Sequence, residues 1–273
     1  MLLTMPPPAP LAPFVTKLYW YDEPLGDALE LALPTGRQQL IVNLAEDEQR
    51  WYDGPGFARV HRMPAATVSG ALAGPVCIDT AEQRQVVGAC FRPGGGFPFF
   101  GTPAADVDLP LDQVWGRDGA TLAERLRGYP TPRRRLAALA ELLLARLGDP
   151  LAGPDRLVGA AATALERGLP VATVADRLGR TDRGLTRRFA ARTGYTPKRY
   201  ARIRRFQRVA ADCAVARAVA GRAGVDWAAL AAEHGYVDQS HLIHDFRAFA
   251  SVTPTRYRPR EARTPNHLPV PPG

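Results

Sequence analysis

Over the first 117 residues, apolar positions fall in short runs bounded by Gly, Pro, Asp or Asn, the pattern of strands and not of long helices. Lys17–Tyr21, Gln39–Asn43, Ala66–Ser69, Val76–Asp79 and Val86–Arg92 are the clearest of these runs. They predict a small β sandwich or barrel. From Ala120 the period changes: Leu122 and Leu126, then Leu136, Leu139, Leu143 and Leu147, recur at helical spacing, interrupted by Tyr129, Pro130, Thr131 and Pro132. Two helices are expected there, the second from about Pro132 to Leu147. Its leucine stripe either packs on the β unit or meets a second copy of itself. A further helix is expected over about Pro154–Arg167.

Beyond that point one pattern occurs twice. VADRLGRTDRGLTRRFAARTGYTPKRY runs from Val174 to Tyr200, and LAAEHGYVDQSHLIHDFRAFASVTPTRY from Leu230 to Tyr257. Gly179 matches Gly235 at an offset of 56, while Leu185, Phe189, Pro197 and Tyr200 match Leu242, Phe246, Pro254 and Tyr257 at an offset of 57. Each copy reads as a short apolar helix, a Gly-containing turn and a second helix with its own N-cap, which is a helix-turn-helix. Thr181 is the expected cap in the first copy, with Gly194 at the helix end; Asp226 and Asp238 are the caps in the second.

Helical periodicity then sorts the faces. Leu185 and Phe189 must point inward, which leaves Arg183, Thr186 and Arg187 outward. Leu242, Phe246 and Phe249 point inward, leaving Gln239, Ser240, Ile243 and His244 outward. In the major groove Arg suits guanine, Gln suits adenine and an apolar side chain touches the thymine methyl, so these seven are the candidate base contacts. Between the copies, Tyr200, Ile203, Phe206, Val209, Ala210 and Cys213 mark one long helix over Pro197–Val219. A helix of about 20 residues spans roughly 30 Å, near the ~34 Å of one turn of DNA. Lys198, Arg199, Arg202, Arg204 and Arg205 crowd it and are the candidate phosphate contacts.

Charge sharpens this division. Residues 1–150 hold 14 Lys/Arg against 17 Asp/Glu, whereas residues 151–273 hold 21 against 10. A step from −3 to +11 fits two units with different partners. The composition, 46% apolar, is globular, and the apolar runs are too interrupted to span a membrane. The short Pro-rich start lacks the character of a secretion signal, and three cysteines are too few for a disulfide scaffold; the cytoplasm is the expected compartment. Cys77 and Cys90 flank a polar stretch, so a hairpin is expected to set them on adjacent strands, either as two buried thiols or as a redox pair. An enzyme is not expected. Gly94, Gly95 and Gly96 lack the following Gly-Lys-Ser/Thr of a phosphate loop. The first 150 residues hold one histidine, His61, too few for a metal site, and His234, His241 and His244 lack a completing cluster. No cofactor or metal is expected.

The segment 171–258 resembles the DNA-binding domain of the AraC/XylS family of transcription regulators, carried by GYTPKRYARIRRFQR and YVDQSHLIHDFRAFASVTPTRY. The resemblance implies two helix-turn-helix subdomains on one long helix, reading consecutive major grooves. The stretch VVGACFRPGGGFPFFGTPAADVDLPLDQVWG, residues 86–116, resembles a β-rich N-terminal domain of actinobacterial members. Such domains bind small effectors or dimerise, and either role is implied here. The first unit is rich in aromatics, among them Phe14, Tyr19, Trp20, Phe91, Phe99, Phe100 and Trp115, with Arg37, Arg62, Arg84 and Arg92 nearby; an aromatic or anionic effector would suit it.

The expected chain is therefore α+β. A β-rich sensing or dimerisation domain occupies 1–117, a helical connector 118–150, an all-α double helix-turn-helix 151–260 and a disordered tail 261–273. The expected function is a sequence-specific DNA-binding regulator with duplex DNA as partner; RNA polymerase, a small effector and a second copy of the chain are further partners the reading leaves open. The alternative is a structural DNA-binding protein whose β domain only mediates assembly.

Overall fold

The computed structural model describes residues 1–22, 29–101, 108–147, 153–220, 225–261 and 265–270. Among them the N-terminal half forms two antiparallel sheets. The first sheet has the order β1-β2-β9-β4-β7-β10, built from β1 (Leu2–Met5), β2 (Val15–Asp22), β9 (Gln85–Phe91), β4 (Gln39–Asn43), β7 (Ala66–Ser69) and β10 (Leu109–Pro110). The second has the order β11-β3-β8-β5-β6, from β11 (His267–Pro269), β3 (Leu29–Ala32), β8 (Val76–Asp79), β5 (Glu48–Asp53) and β6 (Arg59–Pro64). Strand alternation gives the first sheet two unlike faces. Leu18, Trp20, Leu40, Val42, Val68, Val87, Ala89 and Phe91 enter one apolar core. The opposite face carries Tyr19, Gln39, Thr67, Ser69 and Cys90. On that face the Tyr19 ring lies across Gly88, where an added Cβ would sit 2.5 Å from both the ring and the Leu40 carbonyl.

Short helices α1 (Phe97–Phe100), α2 (Leu111–Trp115), α3 (Arg117–Ala120) and α4 (Leu122–Arg127) lead into α5 (Pro132–Arg146). Thr131 caps α5 by accepting the Arg134 N–H at 3.3 Å, and Pro132 fills the first turn, where a missing N–H costs nothing. Leu122, Leu126, Leu136, Leu139, Leu143 and Leu147 all enter the core of the first sheet. The leucine stripe thus packs on the β unit of its own chain, and the helices expected as a connector over 118–150 complete the N-terminal domain as far as Leu147, with 148–150 outside the described residues. The aromatics follow the same rule: Phe14, Phe91, Phe99 and Phe100 meet edge to face or tilted within that core, Trp115 stacks on Phe100, and the Trp115 indole N–H is satisfied by the Phe99 carbonyl at 2.8 Å.

The second core crosses between the halves. Leu31, Leu33, Ala71 and Cys77 from the N-terminal half are buried together with Val158, Phe189, Tyr200, Ile203, Phe206 and Phe246 from the C-terminal half. Polar contacts line the same junction. Arg204 and Gln207 donate to the Thr35 and Pro34 carbonyls at 3.0 and 2.8 Å, and Tyr195 Oη donates to the Leu72 carbonyl at 3.2 Å.

Two expectations are corrected. The tail expected as disorder over 261–273 is ordered at 265–270: His267–Pro269 add an edge strand to β3, Leu268 is buried in the shared core, and His267 and Arg260 both pair with the buried Glu30. An isolated Pro-rich segment has nothing to bury, but the edge of a sheet supplies backbone partners and an apolar slot. Residues 262–264 and 271–273 lie outside the described residues. The second correction concerns Cys77 and Cys90. β8 pairs with β3 and β5, while β9 pairs with β2 and β4, so the two thiols sit in different sheets and not across a hairpin. Cys77 faces the shared core, and Cys90 donates toward Gln39 at 3.4 Å. Burial pushes both thiols above their usual range, Cys77 to about 11. With burial holding them protonated, neither has the thiolate needed for exchange.

Candidate nucleic-acid interface

The C-terminal half builds two similar units on one long helix. In the first, α6 (Arg156–Glu166) and α7 (Val171–Arg177) support α8 (Asp182–Thr193). Gly179 makes the turn at φ 61°, Thr181 accepts the Gly184 N–H at 3.1 Å, and Gly194 closes α8 in the left-handed region at φ 75°. Leu185 and Phe189 are fully buried, Phe189 edge to face with Tyr200 at 5.2 Å. Consequently Arg183 and Arg187 are exposed and Thr186 is half-buried.

The long helix α9 (Pro197–Ala220) begins at Thr196, whose hydroxyl accepts the Arg199 N–H, and leads to α10 (Trp227–Glu233) and α11 (Gln239–Ala250). Asp226 caps α10 by accepting the Ala228 and Ala229 N–H groups, both at 3.0 Å. Gly235 turns at φ 71°, and Asp238 caps α11 through the His241 N–H at 2.8 Å. Leu242 and Phe246 are fully buried and Phe249 nearly so. Phe246 lies edge to face with Phe206 and Tyr257 at 5.1 and 5.4 Å. Gln239, Ser240 and His244 are exposed and Ile243 is half-buried. All seven residues expected to face outward therefore lie on the open side of α8 or at the start and open side of α11.

The arginines of α9 behave differently from the expectation. Asp245 of α11 is fully buried, with Arg202 at 2.7 Å and Arg205 at 3.2 Å. A buried carboxylate is tolerable only when paired and hydrogen-bonded, so these two guanidinium groups are taken up by the protein. Arg205 also reaches His241 Nε2 at 3.0 Å and lies over the Tyr236 ring at 4.2 Å. Arg204 pairs with Glu166 at 3.0 Å besides holding Thr35, and Arg199 donates to the Ala73 carbonyl. Four of the five expected phosphate contacts thus bind helix to helix or domain to domain, and only the exposed Lys198 has no partner of this kind among the described residues. Helical spacing identified the basic faces of α9 but carried no information about a carboxylate 43 residues away on another helix. The remaining histidines are separately engaged, His234 with Asp212 at 2.9 Å and His244 within 3.7 Å of Asp245.

What the arithmetic of spacing missed is the cluster at the open edge of the first unit. Arg180 and Arg187 have guanidinium groups without partners among the described residues, and Arg188 beside them is tied to Asp155 at 2.9 Å. Burial raises the Asp155 carboxyl, but the Arg188 contact and the Val158 N–H outweigh it and hold the group below the usual carboxylate value.

Residues 174–260 match a family model described as a helix-turn-helix domain, and residues 3–108 match one described as a domain of unknown function, DUF6597. No curated protein sequence matches the chain. Among solved structures, ToxT from Vibrio cholerae is similar over 94% of this chain and 97% of its own, at 10% identity and a TM-score of 0.46. ToxT bound to (E)-4-(8-methylnaphthalen-1-yl)but-3-enoic acid is similar over the same shares at 8% identity and a TM-score of 0.46. Unsaturated-fatty-acid-bound ToxT from strain SCE256 is similar over 94% of each chain at 10% identity and a TM-score of 0.43. The chain thus joins an AraC-type helix-turn-helix domain at residues 174–260 to an N-terminal DUF6597 domain at residues 3–108.

Proposed function

We propose that this protein regulates transcription by sequence-specific binding, with α8 and α11 set in successive major grooves of one duplex. The observation that supports this is the pair of open faces, Arg183, Thr186 and Arg187 on α8, and Gln239, Ser240, Ile243 and His244 on α11, on helices that both pack against α9. The 24 residues of α9 span roughly 36 Å at about 1.5 Å each, close to the ~34 Å of one DNA turn. The residue types suit direct readout, Arg for guanine, Gln for adenine and Ile for the thymine methyl.

The N-terminal domain is proposed to tune this activity through a small effector. Two features support the reading. Tyr19, Gln39, Ser69 and Cys90 gather polar groups on one face of the first sheet, with Tyr19 Oη 3.2 Å from Gln39 Oε1 and the Gln39 N–H 3.1 Å from Ser69 Oγ. The second sheet shares its core with both helix-turn-helix units, so a ligand with unequal affinity for two arrangements of that core shifts DNA affinity. The test is to map bound genomic sites with the full chain, then compare affinity for a recovered site with that for random duplex. A large ratio is expected; a ratio near one favours a structural DNA-binding protein.

A further inference from the structure

A concavity of about 150 Å³ opens between α6 and α8, lined by Leu157, Gly184, Arg180, Arg187 and Arg188. Three arginines line it, and the neighbouring Asp155 carboxylate is taken up by Arg188 Nε and more distantly by Arg192. Asp155 thereby fixes Arg188 and leaves its two terminal nitrogens without a partner among the described residues. Like charges gathered this closely repel unless an anion sits among them, and a tetrahedral oxyanion matches the donor geometry of converging guanidinium groups.

We infer that this concavity is a phosphate site, in which Arg180 and Arg188 grip a backbone phosphate of the duplex beside the bases read by α8. It rests on the DNA-binding reading and deepens it by moving the backbone contacts of the first unit off α9, whose arginines hold the fold together. Arg187 then lies between the two tasks, at the edge of the reading face and in the rim of the site.

The experiment uses the full chain, its Arg180→Gln variant and a random duplex, because a phosphate contact needs no operator. Affinity is measured across a range of chloride concentrations. Each phosphate engaged adds about 0.9 to the slope of log affinity against log salt. The variant is expected to lose about one from that slope and to weaken on every duplex alike. Arg180 is exposed, so the variant folds as the parent does, which a thermal melt verifies. A second arm adds inorganic phosphate without DNA and follows the melting temperature. A rise in the parent that the variant lacks assigns the site to free phosphate as well, while a slope change without such a rise assigns it to the duplex backbone. Equal slopes with no rise overturn the site. Failure of the parent to bind any duplex at low salt overturns the DNA-binding reading instead, and the phosphate arm alone then decides the site.

Discussion

The two helix-turn-helix units are copies in plan but differ in where they place charge. At an offset of 57, Arg183, Thr186 and Arg187 of α8 correspond to Ser240, Ile243 and His244 of α11, and the exposed Arg188 corresponds to the fully buried Asp245. The first unit thus keeps its guanidinium groups on the surface, whereas the second turns a carboxylate inward and draws two arginines of α9 onto it. The lesson is that the same backbone can place its charges at the surface, where salt screens them, or inside, where they fix the attitude of a helix. Both units meet the N-terminal half, the first through Tyr195 and Arg192 and the second through Arg260 and β11.

Removing the anchor of either core gives the largest effect. Phe189→Ala and Phe246→Ala should each destabilise their own unit by roughly 3–5 kcal/mol. Urea melts of the full chain check this, and a variant that melts like the parent refutes the inward assignment together with the outward faces derived from it. Among the described aromatic rings Phe246 meets those of Phe206 and Tyr257 and Phe189 that of Tyr200, so the second unit should suffer more.

Next comes the buried carboxylate. Asp245→Ala leaves Arg202 and Arg205 facing each other uncompensated, at a cost of about 3 kcal/mol, the lower end for breaking a buried pair because both arginines keep some exposure. Arg188→Ala at the matching position of the first unit should cost less, since Arg188 is itself half exposed and the largely buried Asp155 keeps the Val158 N–H and Arg192. Equal losses in the two variants would erase the contrast.

The balance of what could and could not be read from the chain has the same physical root. Gln39–Asn43, Ala66–Ser69 and Val76–Asp79 were legible as strands, and Thr181, Asp226 and Asp238 as caps, because each signal is local. β5 was not, since Glu48 and Arg50 read as solvent-facing until Arg50 is seen ringed by Glu46, Glu48 and Glu82. β11 was not, since Leu268 is buried only where β3 offers it an edge. The open faces of α8 and α11 follow from period alone. The tasks of the α9 arginines depend on partners far along the chain, and no local pattern encodes them.

Specificity should split between the units. Arg183→Ala and Arg187→Ala should each cost about 1–3 kcal/mol on a cognate site, and Gln239→Ala a similar amount in the other half-site. Competition against random duplex checks this. Arg183 and Gln239 variants should lose little on random DNA, while Arg187, which also rims the phosphate site, should lose on both. Equal loss on specific and random duplex for Arg183 and Gln239 would make them backbone contacts and leave the readout unassigned.

The smallest effect isolates one backbone position. α8 ends at Gly194 with φ 75°, and α11 ends at the corresponding Ser251 with φ 57°. Both residues occupy the left-handed region, which costs an L residue roughly 1–2 kcal/mol and glycine almost nothing. Ser251→Gly should therefore raise the stability of the second unit by about 1 kcal/mol, less what glycine adds to the entropy of the unfolded chain. Gly194→Ser should lower the first by a similar amount. Thermal melts of the two variants read the pair together, and the signs must be opposite. If both substitutions destabilise, something other than the backbone angle holds Ser251 in place, and the two helix ends are not the equivalent structures that the repeat makes them.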